Sequence, residues 1–163
     1  MNVNLIRAKE ADISTIQVLA QKIWQSHYPA IVGQMQVDVM LAKLYNSAAL
    51  QAQMQEGQQF FLVESDNIAV GFISISEKDI HELFLHKFYI DTEIHRKGIG
   101  SLAFAKLLEL FPQITTTRLQ VNRQNYKPIN FYFKMGFVID YVADFDIGDG
   151  YFMNDFVMVW RKL

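Results

Sequence analysis

Hydrophobic periodicity divides the chain into a helical front section, a strand-rich middle and a strand–helix alternation at the end. Val3 to Arg7 reads as a short first strand. Beyond it, Ile13, Ile16, Ala20, Ile23 and His27 recur at intervals of three and four, with Leu19 and Trp24 widening the stripe. Residues 12–28 are therefore expected to form an amphipathic helix. Pro29 and Gly33 break it. Two shorter helical stretches follow at about 35–45 and 48–56, and Gly57 stands where a helix cap belongs. Phe60-Phe61-Leu62-Val63 and Ala69-Val70-Gly71-Phe72-Ile73 flank Ser65-Asp66-Asn67, the pattern of a hairpin, and a longer strand runs from Leu83 to Ile90.

After Ile90 the order becomes glycine turn, helix, strand, helix, and two strands. The helix that starts at Gly98 is expected to present Leu102, Ala105, Leu108 and Phe111 on one face and to end before Pro112. Arg118 to Val121 is strand-like. Asn125 is a natural N-cap for the next helix, with Pro128 in the first turn, where a missing N–H costs nothing, and Gly136 closes it. Strands at about 137–145 and 151–160 are joined by Ile147-Gly148-Asp149-Gly150, a tight-hairpin composition. These elements predict an α+β fold in which a mixed, mostly antiparallel sheet of about seven strands carries helices on both faces. No linker or repeat interrupts residues 1–163, so a single domain is expected.

Composition narrows the chemistry. The chain has no Cys, which excludes a disulfide framework, Cys-ligated metal and a thiol nucleophile. Its longest apolar run, Phe156 to Trp160, is five residues against the ~20 a membrane helix needs. Met1-Asn2-Val3-Asn4-Leu5 lacks the charged start of a secretory signal, so a cytoplasmic location without membrane association is expected. The four His residues, 27, 81, 86 and 95, show no ligand spacing, and no metal is expected. A net charge of −2 lacks the basic footprint of a nucleic-acid binder. The signs nevertheless segregate. Ile94 to Lys134 carries seven basic residues and one acid, whereas Met135 to Trp160 carries Asp140, Asp144, Asp146, Asp149 and Asp155 with no Lys or Arg. Either these are two solvated surfaces, or the chain holds an anion beside a cation.

His95-Arg96-Lys97-Gly98-Ile99-Gly100 lies between a strand and a helix, where glycines admit close backbone approach and the first helical N–H groups make an anion site. Gly98-Ile99-Gly100-Ser101-Leu102-Ala103 also fits the dinucleotide fingerprint. However, the ribose-binding acid expected about 20 residues later is missing from Leu119 to Asn122. The Walker-type phosphate loop is absent as well.

The segment His95 to Gly100, following the strand Lys87-Phe88-Tyr89-Ile90, resembles the pyrophosphate turn of the GCN5-related N-acetyltransferase (GNAT) superfamily. Leu119-Gln120-Val121, Asn125, Phe131-Tyr132 and Gly136-Phe137 resemble that family's second block, and the order of elements agrees over nearly the whole chain. His95 stands where the family usually has Gln or Arg, and Pro128 where Ala is frequent.

The resemblance implies direct acetyl transfer from acetyl-CoA, as co-substrate, to a primary amine, with a small cationic molecule such as a polyamine expected as acceptor. A protein N-terminus or lysine, or a non-catalytic acyl-CoA-binding role, is the alternative. It further implies that His95, Arg96, Lys97, Gly98, Ile99, Gly100 and Ser101 hold the pyrophosphate. Phe88, Tyr89 and Ile90 would pair with pantetheine, as would Asn125, whose capping role is compatible. Tyr132 would donate to the departing sulfur, although it also fits as a core aromatic. For deprotonating the amine, Glu82 and His86 are candidates because they share the parity of Ile90 along the strand. Each is also plausible as a structural residue. His27 and Tyr28 could line an acceptor pocket, and the acids from Asp144 to Asp155 could draw in a cation. A homodimer is left open.

Overall fold

In the computed structural model, which describes residues 1–94 and 98–163, β1 (Val3–Arg7) is followed by α1 (Ile13–His27), α2 (Pro29–Val32), α3 (Gln34–Leu44) and α4 (Ser47–Gln55). Next come β2 (Gln59–Ser65), β3 (Ile68–Asp79), β4 (Glu82–Ile90) and α5 (Ile99–Leu110), then β5 (Thr116–Asn122), α6 (Tyr126–Met135), β6 (Val138–Gly148) and β7 (Tyr151–Arg161). The strands are hydrogen-bonded in the order β1-β2-β3-β4-β5-β7-β6. The pairs β1–β2, β2–β3, β5–β7 and β6–β7 are antiparallel, whereas β4–β5 is parallel, so the expected mixed, mostly antiparallel sheet is present. Among the described residues no helix is long and apolar enough to cross a membrane.

Both hairpin turns follow from their residues. Asp66 and Asn67 at β2–β3, and Asp149 and Gly150 at β6–β7, all take positive φ, the geometry of two-residue turns that match the right-handed twist of the flanking strands.

Contacts divide the chain into two compact units, Met1–Ser76 with Lys87–Pro112, and Glu77–His86 with Gln113–Leu163. In the first, α1 buries Ile13, Ile16, Leu19, Ala20, Ile23 and Trp24, the stripe its spacing predicts. Helix α5 departs from expectation. Ile99, Ala103, Phe104 and Leu107 are buried, while Leu102 is 41% exposed. The helix is apolar on nearly all sides, so periodicity alone does not select a face; the buried one carries Ala103, whose small side chain permits close packing. In the second unit, Leu83, Leu85, Ile114, Leu119, Phe137, Val157, Met158 and Val159 form the core. Gly136 ends α6 at φ 99°, as expected of a left-handed cap. Asn125 occupies the N-cap position of α6, but its side chain makes no capping bond; it is buried instead.

Candidate active site

The first unit carries the strand end and the helix start. Phe88, Tyr89 and Ile90 are half-buried at the end of β4. The parallel register of β4 with β5 runs from Glu82–Thr116 to Leu85–Leu119 and, among the described residues, does not include them. On the other side of β4, the Tyr89 carbonyl and Ile90 press against Gly71 of β3, where any Cβ would collide with them. The Tyr89 ring joins an aromatic cluster with Trp24, Tyr28 and Phe72, at centroid distances of 5.8, 6.3 and 5.5 Å. His27 meets Tyr28 edge-on at 5.1 Å, which places the sequence-derived pocket pair beside this cluster.

Just beyond Ile90, the buried Asp91 receives a hydrogen bond from the Glu93 N–H, donates its own backbone N–H to Val70, and pairs with Lys22 of α1 at 2.7 Å. This anchor holds the chain that leads to the glycine turn. His95, Arg96 and Lys97 lie outside the described residues. Gly98 is the N-cap of α5, with φ 98°, and the first turn has neither a side-chain cap nor an acid. The N–H groups of Ile99, Gly100 and Ser101 are therefore among the donors a helix start leaves unmet within the helix, and the helix dipole favours an anion there.

Lys87, on the same strand, was not distinguished by the sequence. Only 8% exposed, it donates from Nζ to Oε1 of Gln53 at 2.8 Å and of Gln58 at 3.1 Å, and sits over the Tyr45 and Phe60 rings. Both of these acceptors are neutral amides, and burial lowers its pKa to about 8. Tyr45, fully enclosed, has its phenol pushed well above the usual range by the same desolvation.

The second unit carries the remaining residues. Glu82 accepts from Arg118 Nε at 3.0 Å, and Arg118 also pairs with Asp140. Hydrogen bonds from its guanidinium to these two carboxylates raise the Arg118 pKa. His86 is half-buried, its ring 4.8 Å from that of Phe84. Tyr132, 8% exposed, packs edge-on against Phe131 and Phe137 at 5.5 and 5.4 Å. Asn125 donates its backbone N–H to Asn122 O at 3.0 Å, closing the turn from β5 into α6.

Register sorts these residues by face. Phe84 pairs with Arg118 and Asn122 with Asp155, so strand alternation puts Glu82, Phe84, His86, Arg118, Asn122 and Asp155 on one face. Trp160, paired with Thr117, belongs to the other face, and Gly136 at the end of α6 packs there.

The acidic run is not simply a solvated patch. Arg118 pairs with Asp140, and Arg123 with Asp144 at 2.9 Å, so basic residues from one segment neutralise acids from the next. Asp146 accepts from the Gly148 N–H within the turn. Asp155 is only 1% exposed. The available signal is its parity with the apolar Val157 and Val159 in β7. Among the described residues no group of three or more His, Asp or Glu side chains is set to hold a metal ion.

Comparison with known proteins places this geometry among relatives. A family model described as an acetyltransferase (GNAT) domain matches residues 29–145. Peptidyl-lysine N-acetyltransferase YjaB of Salmonella typhimurium is 32% identical over 101 residues, which are 57% of this chain and 64% of the relative; the chain thus spans somewhat under two thirds of that relative's length. The PaiA N-acetyltransferase from Thermoplasma acidophilum, solved in complex with coenzyme A, superimposes with TM-score 0.80 at 22% identity, covering 99% of this chain and 100% of that one. A spermidine N-acetyltransferase chimera of Vibrio cholerae SpeG and hSSAT gives TM-score 0.68 at 16% identity, covering 99% and 96%. At these identities the two structures establish a shared fold.

Proposed function

Because the chain belongs to the acetyltransferase (GNAT) domain family, we propose that it transfers the acetyl group of acetyl-CoA directly to a primary alkylamine. The observation that carries this reading is the join between β4 and α5: a pinned strand end at Asp91, then a left-handed Gly98 opening a helix with no side-chain cap and no acid in its first turn. Such a helix start suits a pyrophosphate, held by the backbone from Gly98 to Ser101 with His95, Arg96 and Lys97 before it. Phe88, Tyr89 and Ile90 would pair with the pantetheine arm as an added strand, with Asn125 bonding it. One strand N–H would polarise the thioester carbonyl.

An alkylammonium has a pKa near 10.4, so exposing its lone pair at pH 7 costs roughly 4–5 kcal/mol. Glu82 already accepts from Arg118, which makes His86, on the same face, the better placed base. The amine nitrogen attacks the thioester carbon, the C–S bond breaks as the tetrahedral adduct collapses with Tyr132 donating its phenolic proton to the departing sulfur, and the proton lost from the acylated nitrogen restores the phenol through solvent. The chain contains no Cys, consistent with transfer that forms no thioester on the enzyme.

The acceptor is proposed to be a small cationic amine such as a polyamine. The named activity of the Salmonella relative supports a peptidyl lysine as the second reading, since it presents the same alkylammonium. Thiol release from acetyl-CoA across polyamines, monoamines and lysine peptides, with mass detection of the acetylated product, tests both. Tight CoA binding with no acetylated amine would instead establish a non-catalytic acyl-CoA-binding module.

A further inference from the structure

Asp155 presents an unsolved charge balance in the second unit. Its side chain is 1% exposed, and its Oδ1 has no hydrogen-bond partner among the described residues. Arg123 is a cation that acts on it, but that guanidinium donates to the Asp144 carboxylate at 2.9 Å and, more weakly, to the backbone oxygens of Ala143 and Asp155. Register explains why it bypasses the Asp155 carboxylate. Asp155 pairs with Ala143, whereas Asp144 pairs with Asn154, so Asp144 and Asp155 point to opposite faces and Arg123 is committed to Asp144. Among the described residues, the ionised Asp144, Arg123 and Asp155 sum to one net negative charge, and a buried carboxylate oxygen without a donor is costly to leave unmet.

The location suggests what meets it. Asp155 pairs with Asn122, the last residue of β5, beside the turn into α6 that buries Asn125. In open α/β sheets, ligands sit outside the carboxyl ends of parallel strands, and Asp155 adjoins the carboxyl end of β5, a parallel strand of this sheet. Asp155 also shares a face with His86.

We propose that the Asp155 carboxylate anchors a second, still protonated amino group of the acceptor, so that the enzyme selects diamines and polyamines over monoamines. This rests on the amine-acetyltransferase reading above and names the acceptor class for it. The ammonium supplies both missing components, one positive charge and an N–H donor to Oδ1. Desolvation, offset by Arg123 and reinforced by Asp144, pushes the Asp155 pKa up to about 6, so the anchor is ionised at neutral pH and lost below it.

The test compares acetylation of 1,4-diaminobutane and 1-aminobutane by the wild type and Asp155→Asn, together with calorimetric titration of 1,4-diaminobutane into each protein saturated with CoA. An anchor predicts that Asp155→Asn raises the diamine KM and Kd by about 10- to 100-fold, the range of a charge-assisted hydrogen bond, with monoamine kinetics little changed. It also predicts that wild-type diamine affinity falls below about pH 6 and that the variant lacks this limb. Arg123→Gln removes the cation that lowers the Asp155 pKa and should move the limb upward in pH; Asp144→Asn should move it downward. These two keep the proposal testable should Asp155→Asn fail to fold.

Active wild type whose preference for diamine over monoamine survives Asp155→Asn overturns the anchor and leaves the acetyltransferase reading standing. No acetylation of any amine defeats that reading, and the calorimetry then decides the anchor separately: diamine binding that depends on Asp155 supports it, and equal or absent binding overturns it.

Discussion

The backbone carbonyl of Tyr89 occupies the space that a side chain at Gly71 would need. An added Cβ would meet that oxygen closer than real Cβ atoms approach anything, with Ile90 Cδ1 a further 2.9 Å contact. Gly71 lies in the interior of β3, so the absent side chain serves close approach rather than a turn. The position of the end of β4 therefore depends on a residue in the neighbouring strand.

Gly71→Ala should push the Tyr89 carbonyl away and cost about 1–3 kcal/mol, the range of core overpacking. If Phe88 to Ile90 pair with pantetheine, acetyl-CoA affinity should fall more than the lost stability accounts for. Thermal unfolding and calorimetry on the same protein check the two effects, and unchanged affinity would separate this strand end from the cofactor.

Gly98→Val tests the helix start. The surroundings are open, with Met1 Cε the nearest contact at 3.9 Å, so the penalty comes from the φ of 98° and not from collision. A β-branched residue held there costs about 1–3 kcal/mol or shifts the backbone, which would turn the first N–H groups of α5 off target. The folded variant should bind CoA at least tenfold more weakly. A folded Gly98→Val protein with wild-type CoA affinity would disprove the pyrophosphate role.

Tyr132→Phe keeps the ring against Phe131 and Phe137 and removes only the hydroxyl. Loss of a proton donor should reduce kcat by about 10²–10⁴ with little change in acetyl-CoA affinity. Full kcat, measured where chemistry limits turnover, would leave Tyr132 as a packing residue.

Lys87 yields a pH dependence of stability. Its folded pKa of about 8 lies below the ordinary 10.5, so between those values the unfolded chain holds more protons than the folded one, and stability rises with pH. The destabilisation is complete below pH 8 and relieved toward 10.5, by up to roughly 3 kcal/mol. Relative to Lys87→Met, the wild type should therefore gain stability across this window in denaturant titrations. A constant difference between the two would show that the ammonium is not held at such a cost.

Most elements were legible because each carries its own boundary signal. The turns at Asp66-Asn67 and Asp149-Gly150, the stripe on α1 and the stop at Gly136 need no tertiary information. The buried face of α5 is not legible in its periodicity, because Leu102, Phe104, Leu107 and Leu108 surround the helix and only tertiary packing chooses among them. The burial of Lys87 has no sequence signal, and that of Asp155 only its parity with Val157 and Val159, for a related reason. Alternation gives the face a residue occupies but not whether another layer covers it, and a charge in a strand is ordinarily solvated. At the candidate site, the glycine and tyrosine motifs could be located from sequence, while the occupation of Glu82 by Arg118 depends on which strands become neighbours.

The pairing of Arg118 with Asp140 and of Arg123 with Asp144 joins β5 to β6 across the intervening β7. Asp140 reaches its partner from a bulge, where the β6–β7 register jumps between Ile139 and Tyr141. If β6 slipped by one residue, both aspartates would turn to the opposite face; a slip of two would carry them about 7 Å along the strand, out of contact. Exposed pairs of this kind contribute little to net stability, about 1 kcal/mol or less each. Their leverage lies in the comparison between alignments, since competing registers forfeit both at once. The opposite charges of consecutive segments thus work like the teeth of a key, admitting one alignment of the final hairpin among several that its apolar residues would tolerate.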